Sequence, residues 1–195
     1  MIDLTYPDSI IALHHRAILR WKESALSFQE TDFLALVEEN HAFNYQLWHA
    51  EDRARREDKG FEFVYRAKRD IDHYNQQRNN RMESMDEWLF NALHPAPPST
   101  CPVHSESPGM MIDRLSILAL KSYHMALQIS RQDVDESHRI RCSSKHDTIE
   151  AQKKQLHACL SELLQNIQEK TRTFRIYHQF KMYNDATLNP ELYNS

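Results

Sequence analysis

Amides, carboxylates and guanidinium groups recur along this chain where a helix should bury only apolar side chains. From residue 32 to 58, a helix turning about 100° per residue puts Phe33, Leu36, Val37, Phe43, Leu47 and Ala54 on one arc, together with Asn40, Asn44, Glu51 and Arg55. The next helix is defined by Val64, Ala67, Ile71, Tyr74, Met82, Met85 and Leu89, with Arg78 near the centre of that arc and Lys68, Asp72, Asn75 and Asn79 along one edge. A buried ion costs several kcal/mol unless it is paired, so such a set demands a partner or a ligand. Two kinds of chemistry suit these residues. Asn side chains bind hydroxyls, and Arg and Lys bind phosphate or carboxylate. Glu51 or Asp52, set among cations, could serve as a general acid or base.

Positioning them requires three helices. Helices two and three meet at Gly60 with almost no loop, so they should pack antiparallel, with residue numbers at equal height summing to about 120. That sets Asp52 near Lys68, Trp48 near Asp72, Asn44 near Asn75 and His41 near Asn79. Arg78 falls too far along the axis to reach Glu51 and needs another anion: Asp113 of helix four, or a bound phosphate or carboxylate. Helix four, predicted from Gly109 to about Ser130 with Ser107 as cap and Pro108 in its first turn, is the most apolar. Its charges, Asp113, Arg114, Lys121 and, if protonated, His124, fall within about a third of its circumference. The candidate binding set is therefore Asn40, His41, Asn44, Trp48 and Arg55 on helix two; Lys68, Asp72, Asn75, Arg78 and Asn79 on helix three; and Asp113, Arg114, Lys121 and His124 on helix four. Glu51 and Asp52 are the catalytic candidates. The same residues read equally as a satisfied polar network that fixes how the bundle packs, with no ligand at all.

The remaining elements follow from punctuation. Helix one opens at Pro7 and Asp8 and should end near Gln29. Helix two runs to Gly60 and helix three to about Leu93. The stretch 94–108 holds five of the seven prolines and reads as a surface loop. A last long helix is read from Ile149 through Leu156, Leu160, Leu163 and Ile167 to Phe174. The tail 179–195, rich in Phe, Tyr and Asn, should dock through Phe180, Met182, Tyr183, Leu188 and Tyr193 on the bundle or, in a homo-oligomer, on a partner subunit. The expected architecture is all-α: one domain of about five helices with a Pro-rich loop between helices three and four.

Composition narrows the function classes. The 195 residues are 41% apolar and 27% charged, with a net charge of -4 that gives no excess for tracking a nucleic-acid backbone. No apolar run approaches a membrane span, and MIDLTYPDSI lacks the features of a signal peptide, so a cytoplasmic location is expected. Cys101, Cys142 and Cys159 read as reduced thiols. Two glycines, Gly60 and Gly109, cannot build a nucleotide-binding loop or a nucleophile elbow, and no cofactor is expected. Glu38 and His41 have the spacing of a di-iron bundle motif, but no second copy follows and Asp70/His73 and Asp135/His138 offer only aspartate versions, so no metal centre is expected.

Four blocks carry a resemblance: NHAFNYQLWHAEDRAR (40–55), KRDIDHYNQQRNNRMESMD (68–86), SPGMMIDRLSILALKSYHM (107–125) and FKMYNDATLNPELY (180–193). They resemble the signature blocks of an uncharacterised bacterial helical family, domain of unknown function 4254. The resemblance implies an all-helical fold and a bacterial source, and supplies no activity. A more distant likeness of the LWHAED and IDRLSILALK segments, to proteins associated with surface-polysaccharide and glycosyltransferase neighbourhoods, implies a glycan-related ligand. The function expected is binding, or transformation, of a small anionic or sugar-phosphate-like ligand between helices two, three and four; the alternative is an interaction bundle whose polar network only fixes the fold.

Overall fold

Helix four is the axle of the structure because its apolar residues cover nearly its whole circumference and must be enclosed by the other helices. The computed structural model describes residues 6–180, 182 and 185–193, the last of these for its backbone only. The elements are α1 (Tyr6–Glu23), α2 (Asp32–Ala54), a 3-10 turn (Glu57–Lys59), α3 (Phe61–Leu93), α4 (Pro108–Ile129), α5 (Glu136–Gln168) and a single-turn α6 (Pro190–Tyr193). Among the described residues there is no strand. α4 packs against α1, α2, α3 and α5. Its Met111, Ile112 and Leu115 meet Leu13 of α1, Phe33 and Val37 of α2, Met85 and Leu89 of α3, and Leu160 and Leu164 of α5 in one core. The expected all-α bundle of five substantial helices is what forms.

α2 and α3 are antiparallel at the expected heights. Arg53 Nη2 donates to Asp70 at 2.8 Å, Asn40 Nδ2 lies 3.4 Å from the Arg78 carbonyl oxygen, and Arg81 pairs with Glu39. Beyond the main core the two helices are joined by a seam of Ala50, Ala54, Ala67 and Ile71, where small side chains let the backbones approach. The turn between them needs Gly60, whose φ of +87° lies where a Cβ is disfavoured. α2 ends at Ala54, short of the expected Gly60, and the 3-10 turn takes up the difference.

Three further boundaries differ from expectation. α1 stops at Glu23, not near Gln29, because the buried Glu38 carboxylate draws the chain into a loop: Oε2 accepts the Gln29 and Glu30 amides at 2.9 Å each, and Arg20 pairs with Oε1. α5 begins at Glu136, well before Ile149, because Asp135 caps it by accepting from the His138 amide at 2.7 Å. It ends at Gln168, so Thr171 and Phe174 leave the helix. Thr173 instead forms a parallel bridge with Val103, and Phe174 is buried. That bridge straps down the Pro-rich loop, with the His104 amide donating to the Thr173 carbonyl at 2.7 Å.

α4 starts as expected, with Ser107 as cap and Pro108 in its first turn. Asp86 of α3 adds a contact that the sequence did not signal: its Oδ1 accepts the Gly109 amide at 2.7 Å. A Cβ on Gly109 would sit 2.5 Å from the Met82 carbonyl oxygen, so this glycine marks a close approach of α4 to α3. In the tail, Phe180, Met182 and Leu188 are exposed, Phe180 at 83%. Tyr183 and the side chain of Tyr193 lie outside the described residues. No helix among those described is long and apolar enough to cross a membrane.

Candidate functional site

The polar stripe divides into a sealed half and an open half. At the sealed end, the Asp113 side chain is 3% exposed and receives four donors. Arg78 Nε and Nη2 reach its two oxygens at 2.9 Å each, a bidentate pair, while Asn40 and Asn44 donate to Oδ1 at 3.1 and 2.9 Å. Asp113 is thus the anion that Arg78 required. Asn44 Nδ2 also donates to the Ser116 hydroxyl at 2.9 Å, and that hydroxyl contacts His41 Nδ1 at 2.7 Å. Because His41 Nε2 faces the His14 carbonyl oxygen at 3.1 Å, the ring carries its proton on Nε2 and accepts from Ser116 at Nδ1. The chain of contacts therefore runs through α3, α4 and α2 to α1. Burial pushes the His41 pKa down to about 3, against the weaker opposing pull of the His14 carbonyl. His14, its ring 4.4 Å away, is also held well below its ordinary range by burial, then by His41 and Lys153. Both imidazoles are neutral at pH 7.

Above this network a cavity of about 320 Å³ opens between α2, α3 and α4. Asn44 and Arg78 form its floor, and Leu47, Ile117 and Leu120 its apolar walls. Trp48, Glu51, Asp52 and Arg55 form the rim. Arg55 Nη1 donates to Glu51 Oε2 at 2.8 Å, and Asp52 is exposed. Trp48 is stacked on His124, with ring centroids 4.2 Å apart and planes 5° from parallel. Burial, followed by the neighbouring His49, lowers the His124 pKa and keeps this ring uncharged at neutral pH.

Six of the residues singled out from sequence, Asn44, Trp48, Glu51, Asp52, Arg55 and Arg78, therefore line one cavity. Asn40, His41 and Asp113 lie beneath it, sealed from solvent. Asn75 supports Arg78, its Oδ1 accepting from Nη1 at 3.4 Å. Asn79 is half-buried on α3 outside the cavity lining. Lys68 and Asp72 are exposed and do not line it; Asp72 pairs with Arg69 instead. Arg114 and Lys121 lie on the neighbouring face of α4, lining a groove against α5. The supposed single charged strip of α4 is two: His124 lies only about 20° around the helix from Asp113, whereas Arg114 and Lys121 are turned by about 80–100°. Ser116 was missed, although it sits three residues after Asp113 on the same face. Glu38 and His41 are engaged with separate partners, and among the described residues no group of ligands could hold a metal ion.

Residues 34–176 match the family described as a protein of unknown function, DUF4254. The chain belongs to this family. The matched stretch runs from Leu34 of α2 to Ile176 beyond α5, so it includes both the sealed network of α2, α3 and α4 and the whole cavity lining. Of the polar contacts described above, those of His14, Arg20 and the Gln29 and Glu30 amides come from outside the DUF4254 match. No curated protein and no solved structure matches the chain.

Proposed function

We propose that this DUF4254 chain binds a small polyhydroxylated, sugar-like ligand in the cavity between α2, α3 and α4. The observation that carries this reading is the convergence of Trp48, Asn44, Glu51, Asp52, Arg55 and Arg78 on one open space with apolar walls. An indole offers an apolar face to the C–H groups of a sugar ring, while amide and carboxylate oxygens accept from its hydroxyls. The charge balance favours hydroxyls over a strongly anionic body, because Arg78 is already neutralised by Asp113. A phosphate on the ligand would meet Arg55 at the rim. Glu51 and Asp52 are the groups in reach to exchange a proton with the ligand if it is transformed.

A distinct role for the sealed half is favoured by its complete pairing. Asn40, His41, Asp113 and Ser116 have no solvent-facing surface to offer a ligand and serve to position the cavity floor. The test is titration with glucose, glucose 1-phosphate and a uridine diphosphate sugar, followed by ligand-observed NMR. Trp48→Ala should weaken all binding probes at least about tenfold, the loss expected when a stacking contact of ~1.5 kcal/mol is removed. Arg55→Ala should remove only the advantage of the phosphorylated probes. Failure of every probe to bind the wild-type protein at millimolar concentration defeats this reading.

A further inference from the structure

The groove on the adjacent face of α4, between α4 and α5, has the composition of a second and different site. It encloses about 630 Å³. Helical spacing builds two of its walls: Met111, Arg114, Leu118 and Lys121 from α4, and Gln152, Gln155, Leu156 and Cys159 from α5. The third wall is the end of the Pro-rich loop, where His104 and Glu106 are fixed by the strap to Thr173. Met111, Ile117, Leu118 and Leu156 give this space an apolar lining, and its polar groups are the Arg114 and Lys121 cations, the Glu106 carboxylate, His104, Cys159 and the amides of Gln152 and Gln155.

Its charge balance is the reverse of that in the first cavity. Arg114 Nη1 donates to both Glu106 oxygens, at 2.6 and 2.7 Å, which leaves its Nε and Nη2 donors uncommitted among the described residues. Lys121 has no carboxylate partner among the described residues. One positive charge is therefore in surplus beside an apolar surface, with the amides of Gln152 and Gln155 facing it from α5. We propose that this groove binds an organic anion with an apolar body, its anionic head on Lys121 and the free donors of Arg114, and its body against Met111, Ile117, Leu118 and Leu156. The two sites would share a wall, since Ile117 lines both spaces. The proposal does not depend on the sugar-like ligand.

Cys159 reports on occupancy directly. Its thiol is exposed and lines the groove, whereas Cys101 is half-buried in the loop and Cys142 is buried. The full chain is alkylated with iodoacetamide in the presence of hexanoate, hexyl phosphate or 1-hexanol, and modification at each cysteine is followed by mass spectrometry. At least one of the two anions should protect Cys159 at concentrations about tenfold lower than 1-hexanol does, with Cys101 unaffected; whichever anion protects better identifies the preferred head group. Lys121→Met, at an exposed position that leaves the fold intact, should abolish that preference. Equal protection by 1-hexanol, no protection by any probe, or a preference that survives Lys121→Met would each overturn the proposal.

Discussion

Arg78→Met tests the centre of the structure. Methionine preserves most of the apolar stem and deletes the guanidinium, leaving the Asp113 carboxylate, 3% exposed, with the Asn40 and Asn44 amides as its remaining donors. Removing one partner of a buried pair costs about 3–5 kcal/mol, because the other charge stays buried without compensation. The Arg78 side chain is 24% exposed, which puts the expectation at the lower end, about 3 kcal/mol. With a urea dependence of about 2 kcal/mol per molar, the midpoint should fall by about 1.5 M. Adding Asp113→Asn should recover more than half of the loss, since the stranded charge is then gone while an amide oxygen still faces Asn40 and Asn44. The assay is urea unfolding at pH 7 followed by far-ultraviolet circular dichroism. A single variant within about 0.5 kcal/mol of wild type, or a double variant no better than the single, would refute the reasoning.

Two titrating groups make opposed predictions. Burial raises the Asp86 pKa from 3.8 to about 6, outweighing the hydrogen bonds from Ser107 and Gly109. Stability from this group is full below the unfolded value and is lost as pH rises through about 6, so wild type should lose about 3 kcal/mol relative to Asp86→Asn between pH 3.5 and 7; an unchanged difference would count against it. His14 has no partner on either ring nitrogen, and its lowered pKa means that the unfolded chain takes up a proton below pH 6.5 that the folded chain refuses. Stability should fall on acidification, and in His14→Leu that fall should be shallower by about 1 kcal/mol per pH unit in unfolding measured from pH 6.5 to 5, an identical slope being the refuting result.

Much of the fold was legible because its punctuation is local. Gly60 marks the turn between α2 and α3, and Ser107 with Pro108 marks the start of α4, each needing only neighbouring residues to act. The polar stripe was legible as a pattern, since Asn40, Asn44, Arg78 and Asp113 stand out against apolar neighbours. The contacts that set other boundaries are distant in sequence. Glu38 ends α1 from the next helix, and Asp86 reaches the start of α4 from α3; neither carboxylate announces its target. The first part of α5 has too few apolar residues for a clear period, and its cap at Asp135 was the available signal. Arg114 and Lys121 were placed on the wrong side because a strip about a third of the circumference wide spans two neighbouring helices. The tail was read from its aromatic content, which says that a surface is wanted and not where it lies.

The chain of polar contacts also constrains the order of assembly. The α2–α3 hairpin can form from nearby segments, while Arg78 and Asp113 are 35 residues apart and His41 and Ser116 are 75 apart. Until α4 arrives, Asn40, Asn44 and Arg78 lack their Asp113 acceptor, and the face that receives the helix is polar at that point and apolar at Phe33, Val37, Met85 and Leu89. A slip of α4 by one turn, about 5.4 Å, would bury Arg78 and Asp113 out of reach of each other. Misplaced docking is thus penalised at once by an uncompensated charge, whereas a purely apolar face would tolerate it as a trapped intermediate. The stripe therefore ties the closed bundle to one axial position of its central helix.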